Sequence, residues 1–560
     1  MKKWQWNRSF FLLLFIISGV PPLGAQGVEG FTQFSLLSQA MQEKVKSIPL
    51  VPKSGEEGRP LPEIRFFVKK IVVEGNDALT DKMLEKITKP FENRELSFQE
   101  LKRLASGIER EYLKHGYLTC FAYIPPQSIR DGLIQVRVIE GRIGYVFIEG
   151  NRYFEADKIL SYVNFNEGEF LKSRKLEEVL ALLNENQDRH VRAILRPGPF
   201  LGSTDLVLDV QDTFPFHTGA SWDNHGGEFS GRTRLGLFAR HNNATAKDDT
   251  LFGGVFAGRD FYTFAAQYLL PLPPLKGKLF GGWSRAIVRP EKHYKRYKVH
   301  AVSTTYSLGV QKTLKFFKWS FCSVQIGAQA VFDFKQNETR VLDQRYLQER
   351  FRVLRLSPSL KEKDRLGKTE LTNDFSLGLP AFGATVRSVE QDSPQPDFFR
   401  TQLSLVRHQK MPWGTQAVLK MVYQYSGQGL PSQEALPLGG ASSVRGYPES
   451  DFLAETGLLI SLEYVTPLFL MPSAWHLPYL DQPLKDRFNF VAFFDQGSGQ
   501  AYSRSQQRMQ VRYLLGAGCG LRLRLWGDLY ARTEWGLALG DVPLTASEKS
   551  QLHFRLQFEI

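Results

Sequence analysis

Residues 520–525 read GLRLRL, and the side to which the leucines turn decides the fold. Successive side chains of a strand point to opposite faces, so Leu521, Leu523 and Leu525 share one face and Arg522 and Arg524 the other. A soluble sandwich would bury the leucines in a core and leave the arginines in solvent. A barrel in lipid reverses this, with leucines against acyl chains and arginines lining a wet interior. The surrounding chain repeats the scheme: Leu235 and Leu237 stand against Arg232 and Arg234, and Leu529, Ala531 and Trp535 against Arg532 and Glu534. The last segment, HFRLQFEI, keeps Phe554, Leu556, Phe558 and Ile560 on one face, as a strand that closes a barrel would.

About sixteen such segments fit between residues 214 and 560, and an even number is expected of a bacterial barrel. By this count residues 426–454 form a long loop between the eleventh and twelfth strands. With both barrel ends on the periplasmic side, that loop belongs to the longer, outer set. The interior arginines are read as solvated wall residues, and Gly516, Gly518 and Gly520 as close packing within a strand rather than a phosphate loop.

Composition agrees with a β-rich chain. There are 47 Gly, 42 Phe and 20 Tyr in 560 residues, and a mean hydropathy of −0.27 argues against a helical membrane bundle. The net charge of +13 is compatible with nucleic acid, anionic lipid, an acidic partner or a cation-lined pore, and does not choose among them. Cys120, Cys322 and Cys519 are too few and too scattered for a disulfide framework or a zinc site. No nucleotide loop, His-Glu-x-x-His or Gly-x-Ser-x-Gly motif is present. Neither enzyme activity nor a cofactor or metal is therefore predicted.

Lys2, Lys3 and Arg8 precede the apolar run FFLLLFIISGV and a small-residue site ending at Ala25, which reads as a secretory signal peptide over residues 1–25. The run is about half the ~20 residues needed to span a bilayer, so an exported chain can enter a membrane only as a closed barrel. Nucleic acid is not an expected partner of an exported barrel. Within residues 26–48, Phe31, Phe34, Leu37, Met41, Val45 and Ile48 recur three or four apart and form one stripe of a helix roughly 27 Å long. Residues 49–64 carry four prolines and read as an extended linker.

Two similar units follow, each starting with a strand that ends in Glu-Gly-Asn: FFVKKIVVEGN, ending at Asn76, and GRIGYVFIEGN, ending at Asn151. The first continues with a helix that places Phe98, Leu101, Leu104, Ile108 and Tyr112 on one face, then two strands; the second repeats that order. Tandem β-α-α-β-β modules over residues 65–143 and 144–212 account for the spacing, and the barrel occupies residues 213–560.

The loop carries Val444-Arg445-Gly446-Tyr447. Outside the barrel its arginine would be one more solvated charge. Inside, it needs an acid, because an unpaired desolvated charge costs several kcal/mol. In the strand FNFVAFFDQG, Phe488, Phe490, Ala492 and Phe494 share the lipid face, so Phe493 and Asp495 point inward, with Gly497 two residues on.

The pair VRGY and Phe-x-Asp-x-Gly resembles the signature of the outer-membrane protein-transport and assembly superfamily. The tandem modules resemble POTRA (polypeptide-transport-associated) domains. With the helix, the linker and the barrel, the whole mature chain is similar to the two-partner-secretion transporters of the haemolysin secretion/activation and filamentous haemagglutinin type. The phrases YIPPQ at 123–127, RVIEGRIG at 137–144 and LRPG at 195–198 carry the same likeness.

The resemblance implies a mainly β protein: a transmembrane barrel preceded by two α/β POTRA domains and an N-terminal plug helix. It implies an outer-membrane transporter that takes an unfolded secreted partner protein from the periplasm to the cell surface. Val444, Arg445, Gly446 and Tyr447 would enter the lumen, facing Phe493, Asp495 and Gly497 of the wall. It leaves open a static clamp or a moving latch, and a helix that plugs the pore or packs on the periplasmic modules. Outer-membrane lipid and, during biogenesis, the barrel-assembly machinery are the other expected partners of a monomeric protein. The competing functions are a barrel assembly factor and a passive porin.

Overall fold

The computed structural model describes residues 65–560 apart from positions 130, 229, 276 and 291 and the stretches 319–321, 389–394, 469–486, 504–507, 526–528 and 546–547. The signal peptide, the stripe from Phe31 to Ile48 and the linker lie outside the described residues. The rest divides at Phe214 into two compact units.

The first unit holds two modules, each with helices packed on a three-stranded sheet. In the first, Lys70–Glu74, Leu133–Glu140 and Cys120–Tyr123 are neighbours in that order, the first pair parallel and the second antiparallel. A capping box starts the helix Phe98–Lys114: the Ser97 hydroxyl accepts from the Glu100 amide, and the Glu100 carboxylate accepts from the Ser97 amide at 2.9 Å. Leu101, Leu104, Ile108 and Tyr112 then form the buried stripe, joined by Ala105. Phe98 departs from the expected face. It is 60% exposed, because it opens the helix before the stripe meets the sheet.

The segment FFVKKIVVEGN is not one strand. It breaks at Lys69, whose amide and that of Lys70 both donate to the Gly132 carbonyl, so Arg65–Val68 pairs instead with Arg94–Ser97. The second module pairs Arg142–Glu149, Ser203–Asp212 and Arg189–Pro197 in that order, so its sheet starts at Arg142, two residues before the expected boundary.

The repeated Glu-Gly-Asn has a geometric cause. Gly75 and Gly150 sit at φ +85° and +84°, and a Cβ on either would strike the carbonyl of Val138 or Val210, the equivalent position of the adjacent strand. The following asparagines donate to the carbonyl three residues on, Asn76 to Leu79 at 3.1 Å and Asn151 to Phe154 at 2.9 Å. Each triplet turns the chain tightly from strand to helix.

From Pro215 onward the strands close into an antiparallel barrel. Seventeen segments make sixteen staves, because the short Thr385–Ser388 continues the position of Gly367–Gly378 beside the same neighbour, Gln344–Asp364. Closure joins Ser550–Glu559 to Phe216–Asp223, with Leu556 opposite Trp222 and Phe558 opposite Ala220. A closed wall satisfies the backbone groups that lipid cannot.

Side-chain orientation follows the expected alternation. Leu237 is 56% exposed, Leu521 46% and Trp535 45%, whereas Glu534 on the opposite face is fully buried. An outer face of leucine, phenylalanine, tyrosine and tryptophan on a closed antiparallel barrel is the surface a bilayer requires.

Candidate functional site

Between the eleventh stave, Gln416–Tyr425, and the twelfth, Thr456–Pro467, the chain folds into the barrel rather than away from it. A short antiparallel ladder, Leu436–Leu438 with Phe452–Ala454, forms the stem of the loop. Leu438, Val444, Tyr447 and Ala454 pack with Leu459 and Leu514 of the wall into a small apolar core. The lumen therefore holds a folded element with its own hydrophobic contacts.

Arg445 stands at its tip and is only 2% exposed. Its Nε donates to Asp495 Oδ2 and its Nη2 to Asp495 Oδ1, both at 2.7 Å, and its backbone amide donates to the same carboxylate at 3.1 Å. This fork is the strong form of the arginine–carboxylate bond. Phe493 lies under the guanidinium, 3.5 Å from ring centroid to Cζ. Gly497 leaves the space that Val444 fills, since a Cβ there would lie 2.7 Å from Val444 Cγ2. The Phe-x-Asp-x-Gly spacing thus presents a stacking ring, an acid and a gap at alternate inward positions of one strand.

Two further acids share the guanidinium. Nη1 donates to Glu463 Oε1 at 2.6 Å and to Glu534 Oε2 at 2.8 Å, and the Ser461 hydroxyl donates to Asp495 Oδ1 at 2.6 Å. Arg522 binds both Glu463 and Glu534, and Arg532 binds Glu534. Three carboxylates and three guanidiniums compensate one another, which makes the burial of each tolerable. Arg522 and Arg532 are therefore specific partners in this network, not the solvated wall residues expected. Opposing strands place Arg522 directly across from Arg532, and Glu534 between them offsets the repulsion.

Glycines shape the seat. A Cβ on Gly516 would fall on the Arg445 carbonyl, and one on Gly536 would lie 2.6 Å from the Gly446 amide nitrogen. Gly446 itself adopts φ +102°, with its backbone against Leu537. The Tyr447 hydroxyl accepts from the Gly540 amide at 3.1 Å. Gly516, Gly518 and Gly520 serve close packing, with Gly518 making room for the Phe493 ring.

The chain matches the haemolysin secretion/activation protein ShlB/FhaC/HecB over residues 202–523 and the ShlB-type POTRA domain over residues 66–141. It belongs to the ShlB/FhaC/HecB family. Among curated relatives, it is 22% identical over 478 residues to the heme/hemopexin transporter protein HuxB of Haemophilus influenzae, covering 80% of this chain and 78% of HuxB. It is 25% identical over 419 residues to the outer membrane transporter CdiB of Escherichia coli, covering 73% and 70%. The solved structure of CdiB from Escherichia coli shares the fold, with a TM-score of 0.69, 21% identity and coverage of 94% of this chain and 97% of that one. As a ShlB/FhaC/HecB protein it is an outer-membrane β-barrel of protein secretion, with its POTRA modules on the periplasmic side.

Several site residues of this family member escaped sequence reasoning. Glu434, 1% exposed on the first limb of the loop, accepts from Lys335 and Arg355 at 2.6 Å each, and Arg400 and Gln424 donate to its carbonyl. Asp451 on the second limb accepts from the amides of Leu544 and Thr545. Nothing in the spacing of these acids marks them, because their partners lie on staves remote in sequence. The loop is thus pinned at its base and tip to different walls.

Among the described residues no group of three or more His, Cys, Asp or Glu could hold a metal ion. The Cys120 thiol is pushed up to about 12, chiefly by burial and then by Glu109 and Glu140, which leaves it protonated and unreactive at neutral pH.

Proposed function

We propose that this protein captures an unfolded exported partner of haemolysin or adhesin type on its POTRA sheets and passes it through the barrel to the cell surface. The loop 426–454 would act as a latch that leaves the wall during transport. The observation that supports this best is a folded loop filling part of the lumen and held by a charge-balanced network. A dry clamp could equally be built from apolar residues, whereas compensated ions lose little when water or a passing polar chain replaces their partners.

Capture is supported by the sheets. Among the described residues no strand lies beyond Cys120–Tyr123 or beyond Arg189–Pro197; Glu109 takes the Ala122 amide and Asn184 the Val191 amide and carbonyl, which leaves the rest of each edge to an extended guest. Strand addition tolerates varied guest sequences, as a chain threading past requires. With no nucleotide available outside the cytoplasm, folding of the emerging partner at the surface would bias its movement outward.

Deleting the gene and following surface proteins tests the reading. One exported partner is expected to vanish from the surface while other barrels keep their abundance. A general fall in outer-membrane barrels would point to an assembly factor. Unchanged secretion with altered permeability to small solutes would point to a porin.

A further inference from the structure

The wall carries a second charged feature, on its outside. In the stretch of strands from Gly277–Val288 to Thr385–Ser388, pairing aligns side chains in horizontal rungs that face outward. Far from the rim at which the barrel begins and ends, Gly281, Leu308, Phe332, Leu354 and Leu377 form a fully apolar rung. The next rung is Trp283, Tyr306, Phe334 and Arg352. Above it run Arg285, Thr304, Gln336, Arg350 and Thr385, and then a mixed rung of Ile287, Val302, Glu338, Gln348 and Arg387. The outward direction is set by Tyr306, Leu308 and Leu354, all exposed, against Asp333, Lys335 and Asn337, all buried on the lumen face.

The order apolar, aromatic, cationic marks where hydrocarbon gives way to headgroups. Charge at this edge is one-sided. Arg285, Arg340, Arg345, Arg350, Arg352 and Arg387 gather there, and among the described outward side chains of these rungs Glu338 is the one acid, already bound to Arg340 at 2.7 Å. Arg285, Arg350 and Arg387 have no ion pair among the described residues. Arg285 and Arg350 lie three strand spacings apart on one rung, about 14 Å.

An interruption of the wall adds an apolar foothold beside the belt. Between Gly378 and Thr385 the chain leaves the barrel surface and sets Phe382, 71% exposed, against Phe332 at 5.9 Å between ring centroids. Arg352 holds this excursion by donating to the Phe382 carbonyl at 3.0 Å, and its guanidinium lies 5.1 Å from the Phe334 ring. Aromatic rings thus sit directly below unpaired guanidiniums, facing out.

We propose that this belt is a binding site for a phosphorylated acyl glycolipid of the outer leaflet, its phosphates on Arg285, Arg350 and Arg387 and its chains along Phe332, Phe334 and Phe382. Guanidinium forks match phosphate oxygens in pairs, and two arginines spread along one rung with a third on the next suit a headgroup with more than one phosphate better than a phospholipid with a single one.

The test uses the full-length protein in detergent and measures retention of bisphosphorylated lipid A by native mass spectrometry. Its dephosphorylated form and phosphatidylglycerol serve as competitors. Lipid A is expected to bind, and to outcompete both. Replacing Arg285, Arg350 and Arg387 together by glutamine is expected to weaken retention at least about tenfold, since each charge-assisted contact is worth about that factor or more. Heat-modifiable gel migration checks that the variant is folded. If it is not, Arg350→Gln alone is expected to weaken retention, and Arg350→Lys to weaken it less. Equal binding of dephosphorylated lipid or phosphatidylglycerol, or wild-type retention by a folded variant, overturns the proposal.

Discussion

Replacing Arg445 by alanine is expected to release loop 426–454 from the wall and abolish secretion of the partner. The change removes the central cation from a buried cluster and leaves Asp495 without an ion pair among the described residues, while Glu463 keeps Arg522 and Glu534 keeps Arg522 and Arg532. Breaking a buried ion pair by deleting one partner costs about 3–5 kcal/mol, which moves the balance between docked and undocked loop by a factor of roughly a hundred or more. Larger single-channel conductance in planar bilayers and protease cleavage within the loop would accompany the loss. Arg445→Lys keeps the charge but not the fork, and is expected to fall between wild type and alanine. Exchanging the two charges, Arg445→Asp with Asp495→Arg, is not expected to restore docking, since the new aspartate would face Glu463 and Glu534. Wild-type conductance and secretion in Arg445→Ala would show that the network is incidental.

Gly516→Val is expected to give the same phenotype without touching a charge. The added side chain would occupy the place of the Arg445 carbonyl, and the wall backbone beneath it cannot yield as a flexible side chain would. Gly253→Ala, elsewhere in the wall and with no atom within 4 Å of its new Cβ, is expected to secrete normally. The comparison separates loss of the seat from general intolerance of larger residues. If both behave as wild type, the loop does not rest where the geometry puts it.

The barrel is legible in the sequence because lipid imposes a period. Leu521, Leu523 and Leu525 had to share a side, and an exported chain whose N-terminal apolar run is too short to span a bilayer can enter a membrane only as a closed wall. Asp495 could be picked out by the same rule, from the aromatic face opposite it. Glu463 and Glu534 could not. Which inward residues meet across a barrel depends on register between staves, and alternation along one strand carries no information about register with the next. Arg522 illustrates the limit: the sequence shows that it points inward but not that Glu534, on the next stave, is waiting there. Lys69 shows a local one, since nothing in the apolar pattern of FFVKKIVVEGN marks the break made by the distant Gly132 carbonyl.

The central claim, that a polypeptide passes through this wall, is tested most directly by a photo-crosslinking residue at Gln329. That position shares the inward alternation of Asp333 and Lys335, and Leu354, 44% exposed on the outer face, supplies the control. During active export the partner is expected to be trapped from Gln329 and not from Leu354. Export at full rate with no adduct from the lumen, or with adducts only from the lipid face, would contradict the account.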